Sequence, residues 1–236
     1  MERLIDILKN EHQKIQRIPI LPYKMDIALQ VFKALGSKHI GKEFLINEKN
    51  LWVIKNLIRW AHADPEMEAM NPEKKEAVPG DLNKGIYIAG PTGTGKTVLM
   101  RTLAQYLTID NAMFLRYESR MTEPSRQLLT FQSVNTNRAT MYYSENGELY
   151  HYLQEPTICF QDLGVEQAET MYMGTRTKVM RTIIQERGDA RGLITHFTSN
   201  NAITDRDNLT MYEERGVSRL KKMCNYFELR GQDLRG

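Results

Sequence analysis

The sequence predicts an α/β protein with a five-stranded, mostly parallel sheet between helices, preceded by a small helical N-terminal region. Three observations carry this. Short apolar runs at 85–89, 112–117, 157–160, 193–198 and 226–229 are separated by helix-like segments, and strands alternating with helices close into a parallel sheet covered on both faces. The first run, GIYIA, feeds a glycine-rich loop and then an apolar-periodic helix to about residue 107. Upstream, residues 1–63 show helical periodicity without strand alternation.

Taken in order, residues 1–17 place Leu4, Ile5, Ile7, Leu8 and Ile15 on one stripe, an amphipathic helix that Pro19 and Pro22 terminate. Further helices are predicted over 25–35 and 48–62. The second has Asn47 as N-cap and Leu51, Ile54, Ile58 and Ala61 in line. Residues 64–81 hold three prolines and many charges, which reads as a linker. The predicted organisation is therefore a partner-binding helical region at 1–63, a linker at 64–83 and a catalytic domain at 84–236. Within that domain, 118–156 is read as helix followed by a small hairpin around Glu145-Asn146-Gly147. A helix over 169–187 carries Val179, Met180, Ile183 and Ile184 on one face.

At 236 residues, 41% hydrophobic and 26% charged, the chain is of single-domain size with material for a substantial core. A net charge of +3 is too small to imply a nucleic-acid partner by itself. Cys159 and Cys224 sit in apolar stretches and read as buried, reduced thiols. No apolar run approaches the roughly 20 residues of a membrane helix, and the charged N-terminus is not a secretory signal, so a cytoplasmic protein is expected.

Residues 90–97, GPTGTGKT, match G-x-x-x-x-G-K-[ST] in full, with a strand before and a helix after. Gly90, Gly93 and Gly95, with Pro91, Thr92 and Thr94 between them, let backbone N–H groups turn around phosphates. Lys96 supplies a cation for the β- and γ-phosphates, and the Thr97 hydroxyl is a magnesium ligand. ATP with Mg2+ is the expected cofactor pair.

The run ICFQDLG, residues 158–164, has the form of a strand ending at a metal site. Gln161 stands where a first acid is expected, which brings no charge to magnesium. Asp162 is left as metal ligand, water-orienting group, or both, with Glu166 in reserve. The run GLITHFTSNNA ends in Ser199-Asn200-Asn201 at the strand edge where α/β sheets place their ligands. Asn200 is thus a candidate for the γ-phosphate or the attacking water, and His196 reads as a packed core residue. In YEERGVSRLKK, Arg215 and Arg219 share a helix face beside Lys221 and Lys222. They form either a solvated basic face or an arginine offered to a neighbouring subunit's nucleotide; the two lysines are candidates for electrostatic contact with nucleic-acid phosphates.

The ordered set GPTGTGKT, CFQDLG, THFTSNN and YEERGVSRL resembles the AAA+ ATPases of the DnaC/IstB group, the helicase loaders and transposase helpers of bacteria and phages. The resemblance covers about residues 84–235. It implies a P-loop AAA+ core without a C-terminal lid, self-association with nucleotide at the interface, and a replicative helicase, or a transposase, and single-stranded DNA as partners. It also assigns Asn200 as sensor, Arg219 as arginine finger, Arg215 as a second interface residue and Arg235 as a nucleotide-state reader. Where the group carries an acidic pair, this chain has Gln161-Asp162. That leaves open an ATP-stabilised scaffold with little hydrolysis.

Overall fold

The computed structural model of the chain describes residues 15–20, 22–117, 123–190 and 192–230. In chain order the elements are β1 (Ile15–Arg17), α1 (Met25–Ile40), α2 (Leu51–His62), the hairpin β2 (Glu68–Met70) and β3 (Ala77–Pro79), β4 (Gly85–Ala89) and α3 (Lys96–Ile109). There follow β5 (Met113–Arg116), β6 (Ser125–Leu128), β7 (Gln132–Asn135), α4 (Thr136–Asn146), α5 (Tyr150–Gln154) and β8 (Thr157–Leu163). The chain continues with the hairpin β9 (Thr170–Tyr172) and β10 (Thr175–Thr177), α6 (Val179–Asp189), β11 (Ile194–Ser199), α7 (Arg206–Met223) and β12 (Cys224–Glu228).

The central sheet has the order β12-β4-β11-β8-β7, every neighbouring pair parallel. Because successive strand residues point to opposite faces, β4 feeds two cores. Ile86 and Ile88 join Phe32, Ile54, Leu57, Leu99 and Leu103 on one face. Tyr87 and Ala89 join Phe160, Ile183, Ile184, Phe197 and Leu220 on the other. The result is three layers, helix–sheet–helix, which is why β4 is apolar along its whole length.

The N-terminal helices belong to the first of these cores. Helix α1 buries Ala28, Phe32 and Gly36, four apart, and ends at Gly41, whose φ of 68° only glycine adopts cheaply. Gly36 admits the ring of Phe44, since a Cβ there would lie 2.7 Å from Phe44 Cγ. Helix α2 buries Val53, Ile54, Leu57, Ile58 and Trp60, and the Trp60 indole N–H donates to Lys84 C=O at 2.9 Å. A side chain such as Ile54, fully buried, contributes about 1.5–3 kcal/mol. The described part of the N-terminal region therefore packs as a continuation of the core on one face of the central sheet.

Several local expectations are corrected. Residues 15–17 are strand, paired antiparallel with β5; residues 1–14 of the expected first helix lie outside the described residues. The stretch read as linker contains the β2–β3 hairpin, with Met67 and Ala69 buried. The expected second strand, near 112–117, is β5, and it sits in a separate antiparallel sheet with β1 and β6. The fifth place in the central sheet goes to β7, an edge strand with one apolar residue, Val134. Gly147 caps α4 with φ 72° instead of turning a hairpin. Residues 170–177 form the β9–β10 hairpin, turned at Met173 and Gly174, both at positive φ, before helix α6 begins.

Candidate nucleotide site

In the central sheet β4 lies between the two last strands of the chain, so chain order reverses around it, and the carboxyl ends of β4, β11, β8 and β7 open on one crevice. A cavity of about 700 Å³ sits there, within the usual range for small-molecule sites. Thr92, Gly93, Gly95, Lys96 and Thr97 form one side, Asn135, Asp162 and Asn200 the floor, and Ile40, Phe44, Val98 and Val165 an apolar wall.

The phosphate loop is a cradle that side chains would fill. Gly90, Gly93 and Gly95 have φ of 154°, 84° and 87°. A Cβ on Gly90 would lie 2.5 Å from the Leu229 carbonyl oxygen and 3.2 Å from Thr94 Oγ1. Among the described residues the N–H groups of Gly93, Gly95 and Thr97 have no hydrogen-bond acceptor. They stand at the start of α3, where the helix dipole favours an anion. The Lys96 ammonium is buried and donates to Gly90 C=O at 2.6 Å, Pro91 C=O at 2.9 Å and Asn200 Oδ1 at 3.0 Å. Two residues 104 apart in the chain, from the loop and from the end of β11, thus meet at one point of the cavity.

At the acidic strand, β8 carries one residue more than β11 between the Phe160–Phe197 and Leu163–Ser199 pairs. This is a β-bulge, and Asp162 adopts a positive φ in it, 61°. The main-chain groups displaced from the ladder are recovered by side chains: Thr198 Oγ1 accepts from the Asp162 N–H at 3.1 Å, and Thr136 Oγ1 donates to the Asp162 C=O at 3.0 Å. Asn135 Nδ2 holds the carboxylate at 2.9 Å. The bulge turns Asp162 into the cavity, the one carboxylate among the described residues that line it. Gln161 is buried, is not part of the cavity wall, and its Nε2 has no partner among the described residues.

The donor set fits magnesium, which takes only one or two protein ligands and keeps several waters. Thr97 and Asp162 face the same cavity, and no group of three or more His, Cys, Asp or Glu that would hold a metal unaided occurs among the described residues. Glu166 does not join them. Its carboxylate accepts from the Gly164 N–H at 2.9 Å and from the Tyr212 hydroxyl at 2.5 Å, and burial followed by Glu166 pushes the Tyr212 phenol far up.

Arg215 and Arg219 are outside this cavity. Both reach Asp189 at the end of α6, at 3.2 Å and 2.5 Å. Gly188 leaves room for the Arg219 stem: a Cβ there would lie 2.9 Å from its Cδ. A kink at Glu213, φ 60°, sets the course of the second half of α7, and Glu213 is fixed by Lys178 at 3.2 Å and Arg181 at 2.6 Å. Lys221 is paired with Glu73 at 2.6 Å, and Arg235 lies outside the described residues. His196 is a core residue. Its Nδ1 accepts from the Ile86 N–H at 3.1 Å, its ring meets Trp60 edge-on, and burial, with Arg17 and Arg187 adding, pushes it down to about 3. Cys159 and Cys224 are buried and unbridged, and burial pushes the Cys159 thiol up to about 12.

Sequence reasoning missed Asn135 and the wall formed by Ile40 and Phe44. The one signal for Asn135 is its place as an N-cap: Oδ1 accepts from Asn137 N–H at 3.0 Å, which leaves Nδ2 for Asp162.

No family model and no curated protein matches the chain. Solved structures do. A proposed primosome component from Streptococcus pyogenes serotype M3 superposes with a TM-score of 0.52 at 17% identity, covering 80% of this chain and 84% of its own. The fold is AAA+. DnaI superposes with a TM-score of 0.52 at 18% identity, over 87% of this chain and 93% of its own. These likenesses are of fold, the one that the DnaC/IstB resemblance implies. No helix among the described residues is long and apolar enough to cross a membrane.

Proposed function

We propose that the chain is an ATP-binding and ATP-hydrolysing AAA+ protein of the helicase-loader type, acting at subunit interfaces to place or remodel a ring helicase on single-stranded DNA. The observation that carries this reading is the split of its machinery. Lys96, Thr97, Asp162 and Asn200 face one cavity, while Arg215 and Arg219 are presented on α7 outside it. A complete centre then takes an arginine from a second subunit. The shared fold with DnaI and a primosome component supports the placement in replication.

Within the cavity, the N–H groups of Gly93, Gly95 and Thr97 bind phosphate oxygens and Lys96 turns its ammonium from its loop carbonyls to the β- and γ-phosphates. Asn200 places the terminal phosphate. Thr97 and Asp162 are the residues that would hold magnesium, which would supply charge neutralisation at the β- and γ-phosphate oxygens. Asn135 keeps the Asp162 carboxylate oriented, and the wall of Ile40, Phe44 and Val98 takes the base. Ile27 of α1 and Leu45 of the connection between α1 and α2, exposed at 53% and 56%, supply the face toward a partner.

Arg219→Ala is the test. Nucleotide affinity is expected to hold, while hydrolysis that rises with protein concentration falls by roughly 10³-fold or more. Mixing Arg219→Ala with Lys96→Ala subunits restores part of it, because one supplies the site and the other the arginine. Full concentration-dependent turnover by Arg219→Ala alone overturns the reading.

A further inference from the structure

A second concavity, of about 670 Å³, lies on the same side of the sheet, between the last turn of α1, the outer face of α3 and the segment leading into β7. Lys38, His39, Arg101, Gln105 and Ser133 are among its lining residues, and no carboxylate of the described residues lines it. Lys38 and Arg101 are exposed and have no acidic or hydrogen-bonding partner among the described residues. On the α6–α7 face Arg181, Arg215, Arg219 and Lys221 are each held by an acid, although Lys222 beside them, like Lys38 and Arg101, has no such partner among the described residues.

We propose that this groove binds the phosphate backbone of a single strand of nucleic acid, with Lys38 and Arg101 meeting its phosphates. Unneutralised cations beside an open groove without acids make an electrostatic track for a phosphodiester chain. At about 670 Å³ the groove has room for a few nucleotides of one strand and not for the full width of a duplex. The groove and the nucleotide cavity share two elements. Lys38 and His39 line the first, while Ile40 and Lys42 line the second. Helix α3 begins at Lys96 in the cavity and carries Arg101 into the groove. A strand in one site therefore bears on the helix that holds nucleotide in the other. The inference deepens the loader-type reading by giving its DNA strand a location that is not the Lys221–Lys222 face.

The experiment is fluorescence anisotropy of a labelled oligothymidylate titrated with the full chain over a salt series, with nucleotide binding measured in parallel. For the double variant Lys38→Ala/Arg101→Ala the expected result is weaker binding. The slope of log affinity on log salt becomes shallower by about 1.4, since each cation removed from a single strand's phosphates takes about 0.7 from it, with nucleotide affinity unchanged. Lys221→Ala/Lys222→Ala leaves the slope as it was. Unchanged affinity and slope in the groove variant overturn the proposal while leaving the ATPase reading intact. A duplex that competes as well as the single strand overturns the assignment to single strands. A wild-type chain that binds ATP but no oligonucleotide at low salt overturns the groove and removes DNA from the loader reading as well.

Discussion

Replacing Asp162 by asparagine separates the charge of the cavity from its architecture. Asp162 sits at φ 61°, a conformation that asparagine tolerates nearly as well as aspartate and that costs other residues about 1–2 kcal/mol. Asparagine also keeps an oxygen for the donor of Asn135, now at 2.9 Å, and leaves the backbone anchors on Thr198 and Thr136 untouched. Asp162→Asn is therefore expected to unfold in urea within about 0.5 kcal/mol of the parent. Asp162→Ala loses the side-chain hydrogen bond, about 1 kcal/mol, as well as the conformational preference, and falls by about 2–3 kcal/mol. Both variants remove the one carboxylate that the described residues bring to the cavity. An acid that holds magnesium through water is worth about 10–100-fold in metal affinity, or about 1.4–2.7 kcal/mol. Titration of a fluorescent ATP analogue with and without magnesium reads this directly. The parent should bind more tightly with metal, and Asp162→Asn should lose about 10–100-fold of that advantage while binding metal-free nucleotide as well as before. The same magnesium dependence in Asp162→Asn and parent refutes the placement of the metal at Asp162.

Two further outcomes follow from groups already placed. Lys96→Ala removes the ammonium that links Gly90, Pro91 and Asn200, and nucleotide binding should be lost in the same titration; unchanged affinity sinks the phosphate-loop assignment. His196 is pushed down to about 3 in the folded protein from an ordinary 6.5. The unfolded chain thus takes up a proton that the folded one refuses as pH falls below 6.5, and stability is fully present above that value. It should decline by about 1.4 kcal/mol per pH unit between 6.5 and 4.5, before the carboxylates of Glu43 and Glu73, lowered by their lysine partners, and of Glu228, lowered against its burial by Lys75, Arg230 and Tyr226, begin to contribute. Urea midpoints that stay flat from pH 7 to 4.5 contradict a neutral, buried His196.

Most of the central sheet is legible in the sequence because it is buried on both faces and therefore apolar throughout. GIYIA and the runs near 157, 194 and 225 announce themselves. Strand β7, QSVN, does not: it is an edge strand with a single apolar residue, and on sequence alone the more apolar β5, which pairs elsewhere, claims its place. The β9–β10 hairpin is hidden for a related reason. Its turn uses Met173 at φ 45° where asparagine or aspartate is the usual signal, so the helical pattern of α6 extends back across it. The 64–83 stretch has a linker's composition, yet Met67 and Ala69 suffice to fix it as a hairpin.

At the site, glycines and a lysine in a fixed spacing encode a backbone conformation, so the phosphate loop can be read without coordinates. The Gln161-Asp162 question cannot, because it turns on register. In an unbroken strand the two side chains point to opposite faces, and whichever faces the nucleotide excludes the other. The bulge adds a residue, and Thr198 and Thr136 take up the main-chain groups it displaces. Asp162 is thereby brought into the cavity while Gln161 stays buried with its amide nitrogen unpaired. A glutamine in the first position of the pair therefore does not empty the cavity of its acid. The strand shifts by one residue, and the second position faces the nucleotide.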